Sequence, residues 1–139
     1  MAAAAPSDLA PIPLFESLSE SERAEVAGWF EVRDVGPGVR LVGEGTTGSS
    51  FFVLSEGEVA VSAGGEEIAS LGPADFFGEM ALLGPGRRQA TVTTASPSRV
   101  LVLFGDDFRR LQASHPGIAA KIEGAVQKRR EELDAAQRA

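Results

Sequence analysis

Glu79 and Arg88 are the pair in this sequence whose types and spacing could do chemistry together. They lie in FFGEMALLGPGRRQATV, running from Phe76 to Val92. Gly78-Glu79 opens a short apolar helical turn, Glu79–Leu83, which Gly84-Pro85-Gly86 breaks before Arg87, Arg88 and a strand-like Ala-Thr-Val. Backbone N–H groups at a helix start have no intrahelical partner and favour an anion. Gly78 has no Cβ, so a group can approach the backbone there. Arg88 follows Glu79 by nine residues, enough chain to fold back over the same helix start. A guanidinium and free N–H groups suit a phosphate, and a carboxylate accepts from a sugar hydroxyl. A ligand carrying both groups close together is a nucleotide. The spacing is equally compatible with a plain ion pair, Glu79 to Arg88, that only closes the loop.

The rest of the chain must position that segment. Its 139 residues suit one domain with a core, and 43% hydrophobic residues exclude a disordered chain. Sixteen Gly and eight Pro indicate many turns and short strands. A formal charge of −7 argues against nucleic acid as a partner. Cys is absent and His115 is the single His, which removes thiolate catalysis, a Ser–His–Asp set and a cysteine or multi-histidine metal site. No catalytic residue and no metal ligand is therefore assigned. No apolar run reaches the length of a membrane span, and the Ala/Pro-rich start has no signal-peptide pattern, so membrane insertion is not expected and a cytoplasmic location is.

Short β-type runs separated by turns fill residues 31–104: Val32–Val35, Arg40–Val42, Phe51–Leu54, Val59–Ala63, Ile68–Leu71, Ala90–Thr94 and Arg99–Phe104. Strands at this spacing predict an antiparallel roll, sandwich or barrel. Before them, Ser19-x-x-Glu22 has the capping-box pattern for a helix over Ser19–Phe30, with Val26, Trp29 and Phe30 on one edge. After them, Asp106 or Asp107 can cap a helix at Phe108–Ala113. Pro116 suits the first turn of a last helix, with Ile118, Ile122, Ala125, Val126, Arg129 and Leu133 on one side. The predicted organisation is a flexible tail at 1–13 and one domain at 14–136. That domain has N-terminal helices at 14–30, strands at 31–104 and C-terminal helices at 106–136.

Phe77-Gly78-Glu79-Met80-Ala81-Leu82 followed by Arg88-Gln89-Ala90-Thr91-Val92 resembles the phosphate-binding cassette of cyclic-nucleotide-binding domains. These are the domains of catabolite activator protein, protein kinase A regulatory subunits and cyclic-nucleotide-gated channels. The likeness extends through VGPGVRLVGEG and FFVLSEGEVAVS over roughly Leu14 to Leu133. It implies a mainly β fold: an eight-stranded antiparallel β-roll, jelly-roll-like, with N-terminal helices, two C-terminal helices and the cassette at 76–92. By the same resemblance Glu79 accepts the ribose 2′-hydroxyl and Arg88 holds the cyclic phosphate. Backbone N–H groups around Gly78, Ala81, Gln89 and Ala90 complete the cradle, within which Met80 also lies, and Val61 and Leu71 touch the base. Gln89 departs from the small residue or Thr common after the family's arginine. Its amide would either bond a purine edge or crowd the pocket.

The implied role is a regulatory sensor of cyclic AMP, favoured over cyclic GMP, with no separate cofactor. Its output would go to an effector protein or fused domain, and a homodimer is left open. Arg129 and Leu133, four apart on one helical face, are the lid candidates over the base. The competing role for Lys128-Arg129-Arg130-Glu131-Glu132 is a solvated helical face. The competing function is a degenerate roll that binds no nucleotide and serves protein interaction or dimerisation.

Overall fold

FFVL at 51–54 and VLVL at 100–103 are continuous apolar runs rather than alternating ones, which requires strands covered on both faces. The computed structural model, which describes residues 2–43, 50–78 and 90–138, shows why. From residue 129 on, Glu131 is the one whose side chain is included. The two runs lie in adjacent strands, β4 (Ser50–Glu56) and β9 (Ser98–Phe104), paired antiparallel through Phe52↔Val102 and Leu54↔Val100. Their odd and even residues part to opposite sides. Phe51, Val53, Leu101 and Leu103 join a cluster under the helices. Phe52, Leu54, Val100 and Val102 join a second cluster inside the roll.

Every strand pair is antiparallel. One sheet runs β1 (Ala2–Ala3), β2 (Glu31–Val35), β9, β4, β7 (Phe76–Phe77). The other runs β3 (Arg40–Val42), β8 (Thr91–Thr94), β5 (Val59–Ala63), β6 (Glu66–Leu71). Strands β2 to β9 form the eight-stranded roll that the sequence implied, and β1 is an added edge strand. The strand at Phe76–Phe77 was not in the sequence-based set. Its two residues divide like those of β4, Phe76 against the helical cluster and Phe77 in the roll cluster.

Residues 2–13, expected as a flexible tail, are seated on the domain. Ala2 and Ala3 pair with Val32 and Glu31, and the Ala4 N–H donates to the Phe30 carbonyl at 3.0 Å. A short helix α1 (Pro6–Leu9) and a 3-10 turn (Pro13–Phe15) then bury Leu9, Ile12, Leu14 and Phe15. From sequence, Leu9–Leu18 with Ile12, Leu14 and Phe15 reads as a short helical turn that packs down, and it does so here, while the packing of residues 2–8 has no counterpart in that reading.

Helix α2 (Glu20–Ala27) starts as its sequence predicts. The Ser19 hydroxyl accepts from the Glu22 N–H, and a Glu22 carboxylate oxygen accepts from the Ser19 N–H at 2.8 Å. It ends at Ala27, and Phe30 turns in to meet Phe15 edge-on with ring centroids 5.5 Å apart. Helix α3 (Gly105–Ser114) begins without the side-chain cap expected from Asp106 or Asp107. β9 runs straight into it, so both aspartates fall in the first turn, where they suit the helix dipole and pair with Arg109 and Arg110. Helix α4 (Pro116–Arg138) has Pro116 at its first position. It buries Ile118, Ala119, Ile122 and Val126 among Leu14, Phe15, Leu18, Val26, Phe108 and Leu111. The burial of Ile118, Ile122 and Val126 contributes about 5–9 kcal/mol in all.

Two buried polar side chains fasten the turns. The Thr94 hydroxyl accepts from the Val39 N–H at 2.8 Å and donates to the Gly36 carbonyl at 2.7 Å, closing the Gly36-Pro37-Gly38 turn. The Ser98 hydroxyl donates to the Ser96 carbonyl at 2.8 Å. Gly57, at φ +99°, lies so close that an added Cβ would stand 2.3 Å from the Ser98 oxygen.

Candidate functional site

The roll cluster is where the expected base-contacting residues fall. Val61 in β5 pairs with Val92 of β8 on one side and Ala69 of β6 on the other. Leu71 pairs with Val59. Both Val61 and Leu71 are half-buried and pack on the buried set Val42, Phe52, Leu54, Val59, Phe77 and Val92. They form the partly open margin of an apolar wall, the kind of surface a flat heterocycle covers.

The segment expected to grip phosphate enters and leaves beside this wall. It enters through β7. Phe77 pairs with Phe52, and their rings stack at 4.9 Å with planes 9° apart. A turn delivers the chain to β7. The Gly72 N–H donates to the Asp75 carboxylate at 2.9 Å, the Ala74 N–H to the Leu54 carbonyl at 2.8 Å, and the Leu54 N–H to the Asp75 carbonyl at 2.8 Å. Ala74 sits at φ 77°, an uncommon conformation for a residue with a Cβ, held by those three bonds.

Gly78 follows at φ 77°. Its sequence role was close approach to the backbone. The structure adds a second reason for glycine there, because Gly78 itself holds a left-handed backbone conformation that a side chain would strain. The segment returns at Ala90, half-buried and directly before Thr91, which pairs with Ser62 next to Val61. Gly78 and Ala90 are thus the two ends of a connection from the edge of one sheet to the interior of the other.

Among the expected site residues, Val61, Leu71, Gly78 and Ala90 are placed around the roll cluster. Glu79, Met80, Ala81, Arg88 and Gln89 lie outside the described residues. Arg129 and Leu133 belong to α4, but their side chains lie outside the description. The described buried positions of α4 pack in the helical cluster, across the five-stranded sheet from Val61 and Leu71.

The sequence did not indicate how α4 is held. Glu22, besides capping α2, accepts from the Lys121 Nζ at 2.7 Å, and its carboxyl is held below the usual range first by Lys121 and then by the Ser19 N–H. His115 ends α3, and its Nδ1 stands 3.4 Å from a Glu25 carboxylate oxygen. Gln112 of α3 donates to Glu123 of α4 at 2.8 Å. The Glu22 and Glu25 contacts cross between elements about ninety or more residues apart, the Gln112–Glu123 bond joins consecutive helices, and only the capping half of the Glu22 arrangement has a local signature.

Comparison with known proteins supplies the family. The model of the cyclic nucleotide-binding domain matches residues 32–115, more than half of the chain. The chain belongs to the cyclic nucleotide-binding domain family. This domain is 36% identical over 110 residues to a cAMP-dependent protein kinase regulatory subunit of Hypocrea atroviridis, covering 79% of this chain and 24% of that protein. It is 35% identical over 124 residues to a putative potassium channel protein of Rhodopseudomonas palustris, covering 87% of this chain and 30% of that one. The structure of cAMP-bound PfPKA-R superposes with a TM-score of 0.78 at 26% identity, over 94% of this chain and 44% of that one. The cyclic nucleotide-binding domain thus spans under a third of the length of these two curated relatives. Among the described residues no helix is long and apolar enough to cross a membrane.

Proposed function

We propose that this domain is a sensor that binds cyclic AMP in preference to cyclic GMP and passes the binding event to an effector through α4. One observation carries the proposal. Gly78 and Ala90, the two described ends of the connection whose sequence holds the Glu79 and Arg88 of the family cassette, lie next to strands that carry the apolar wall to which Val61 and Leu71 belong. In this arrangement Arg88 and the N–H groups around Gly78, Met80, Ala81, Gln89 and Ala90 hold the cyclic phosphate. Glu79 accepts from the ribose 2′-hydroxyl, and Val61 and Leu71 cover one face of the base. Cyclic AMP is favoured because the regulatory-subunit relative is named for it and the PfPKA-R structure contains it.

The signal follows from differential affinity. A ligand shifts α4 only as far as it binds one arrangement more tightly than the other, and couplings of this kind are about 1–3 kcal/mol. Arg129 and Leu133 would close over the base in the bound arrangement. The relatives cover several times the length of this domain, so a fused or separate effector protein is the proposed recipient.

Titration calorimetry with cyclic AMP, cyclic GMP and 5′-AMP tests this directly. Cyclic AMP should bind most tightly and 5′-AMP most weakly, and melting temperature should rise with ligand concentration. No heat and no melting shift at millimolar levels of any of the three would leave a degenerate roll that serves protein interaction.

A further inference from the structure

A small pocket of about 230 Å³ lies where the end of α2, the start of β2 and the junction of β9 with α3 meet. Trp29 and Phe104, both half-buried, supply aromatic surface to it. Glu31 and Asp107 are its charged lining residues, and among the described residues no base lines it. Ala3 and Gly28 also line it and contribute no more than a methyl group, so they leave the space unfilled. None of the nucleotide-site residues placed above lines it.

Two acids and two half-buried aromatic rings make an environment for a cation. The volume falls below the about 300–1,000 Å³ of ordinary small-molecule sites, so the pocket admits one group of side-chain size. The helix start at Gly105 carries a partial positive charge, and Asp106 and Asp107 in the first turn offset it. Arg33 shows what suits these walls. Its guanidinium carbon stands 5.6 Å from the Phe104 ring centroid while its Nε donates to a Glu31 oxygen at 2.7 Å. Arg33 itself is not among the lining residues, so the pocket beside it stays open. The internal pairs use Oε1 of Glu31 and Oδ1 of Asp107, the latter 3.2 Å from Arg110. A carboxylate has about four acceptor positions, so both acids keep capacity for another donor. A planar guanidinium engages flat rings and paired acceptors together, which a compact ammonium does not.

We infer that this pocket receives an exposed arginine of a protein partner, its guanidinium against Trp29 and Phe104 and its N–H groups donating to Glu31 and Asp107. The formal charge of −7 favours approach by a basic surface. The pocket lies outside the proposed nucleotide site, so the inference stands or falls independently of what that site binds.

Trp29 is the only tryptophan and the chain has no tyrosine, so tryptophan emission and the single indole N–H signal in NMR both report on this pocket. Titrating the whole chain with N-acetylargininamide should change both signals saturably, with half-saturation near about 1–10 mM. The neutral citrulline analogue should give no saturable change, and N-acetyllysinamide should bind at least about threefold more weakly. No saturation with the arginine compound, or an equal response to the citrulline one, overturns the inference. Equal binding of the lysine compound overturns the assignment to a guanidinium. Asp107→Asn and Glu31→Gln should each raise the half-saturation concentration by about three- to tenfold. Unchanged binding in both variants would show that the acids do not recognise the cation and would sink the inference. A blocked pentapeptide with one arginine between glycine pairs decides the source. Saturation at a similar or lower concentration than the free derivative supports an arginine carried by a protein. Binding of the free derivative without the peptide overturns the docking role and leaves a site for a small guanidinium compound.

Discussion

On the helical side of the five-stranded sheet, nineteen buried residues form one cluster in which Phe15, Phe30, Phe51 and Phe108 are at most 1% exposed. On the roll side of the same sheet the described cluster has eight buried residues, and its margin is the half-buried Leu41, Val61, Leu71 and Phe104. Both clusters draw on β4 and β9, alternate residues going to each. The helical side is filled by the chain's own N-terminal segment and last two helices. The roll side keeps a half-buried apolar margin, and Phe77 and Val92 of the strands flanking the 78–90 connection belong to the same cluster. One strand pair thereby contributes to a filled core and to a second apolar wall, and if that wall binds the base as proposed, substitutions on its two sides should be felt in different measurements.

The largest effect should come from the helical side. Phe15→Ala removes a fully buried ring and its edge-on contact with Phe30, so unfolding free energy should drop by about 3–5 kcal/mol. Denaturant melts that leave the midpoint in place would show the cluster to be less continuous than described. On the ligand side, Arg88→Leu should weaken cyclic AMP binding by about 2–4 kcal/mol, while the melting midpoint of the free protein hardly changes. Glu79→Gln should cost less, since an amide oxygen still accepts. Calorimetry giving wild-type affinity for Arg88→Leu would erase the functional contrast between the two sides.

Gly57→Ala probes the turn between β4 and β5. Its Cβ would stand 2.7 Å from both the Pro97 carbonyl oxygen and the Ser98 Cα, in a backbone conformation that already disfavours a side chain. A loss of about 1–3 kcal/mol in stability is expected, and a neutral result in thermal melts would mean the turn has another accessible form. The smallest effect concerns Glu22. Its carboxyl titrates below its ordinary value in the folded chain. Its contribution is therefore present above the unfolded pKa and is lost as pH falls through the lowered folded one. Urea melts of wild type and Glu22→Gln should differ at pH 7 and converge in acid. A gap that persists in acid would mean that charge is not what holds the pair.

The sequence made much of this legible because several signals are local. The Ser19–Glu22 capping box acts within one turn, Pro116 can start a helix but not continue one, and the Gly-rich punctuation brackets strands such as Val59–Ala63 and Arg40–Val42. The cassette is also a contiguous string, so Glu79 and Arg88 could be singled out without any fold.

Other features depend on residues that meet only after folding. Leu9 is fully buried in a cluster that also holds residues as distant as Ile118 and Ile122, an assembly that no local period specifies. Phe76–Phe77 becomes a strand only because β4 offers it an edge, and Phe52 is there to stack on. Asp106 and Asp107 fit an N-cap by type, but β9 continues into the helix and moves the start before them.

The sequence by itself indicated the short β runs other than Phe76–Phe77, the capping box of α2, the start of α4 at Pro116, and the residues of the cassette string. Each of these depends on residues within a few positions of one another. The tertiary structure alone decided that Ala2 and Ala3 add an edge strand to β2 ahead of the buried Leu9. It decided as well that Glu22 serves α2 and α4 at once, and that β4 and β9 divide the helical cluster from the roll cluster. Those outcomes are set by burial of apolar surface and by contacts across long stretches of chain, neither of which has a local sequence period.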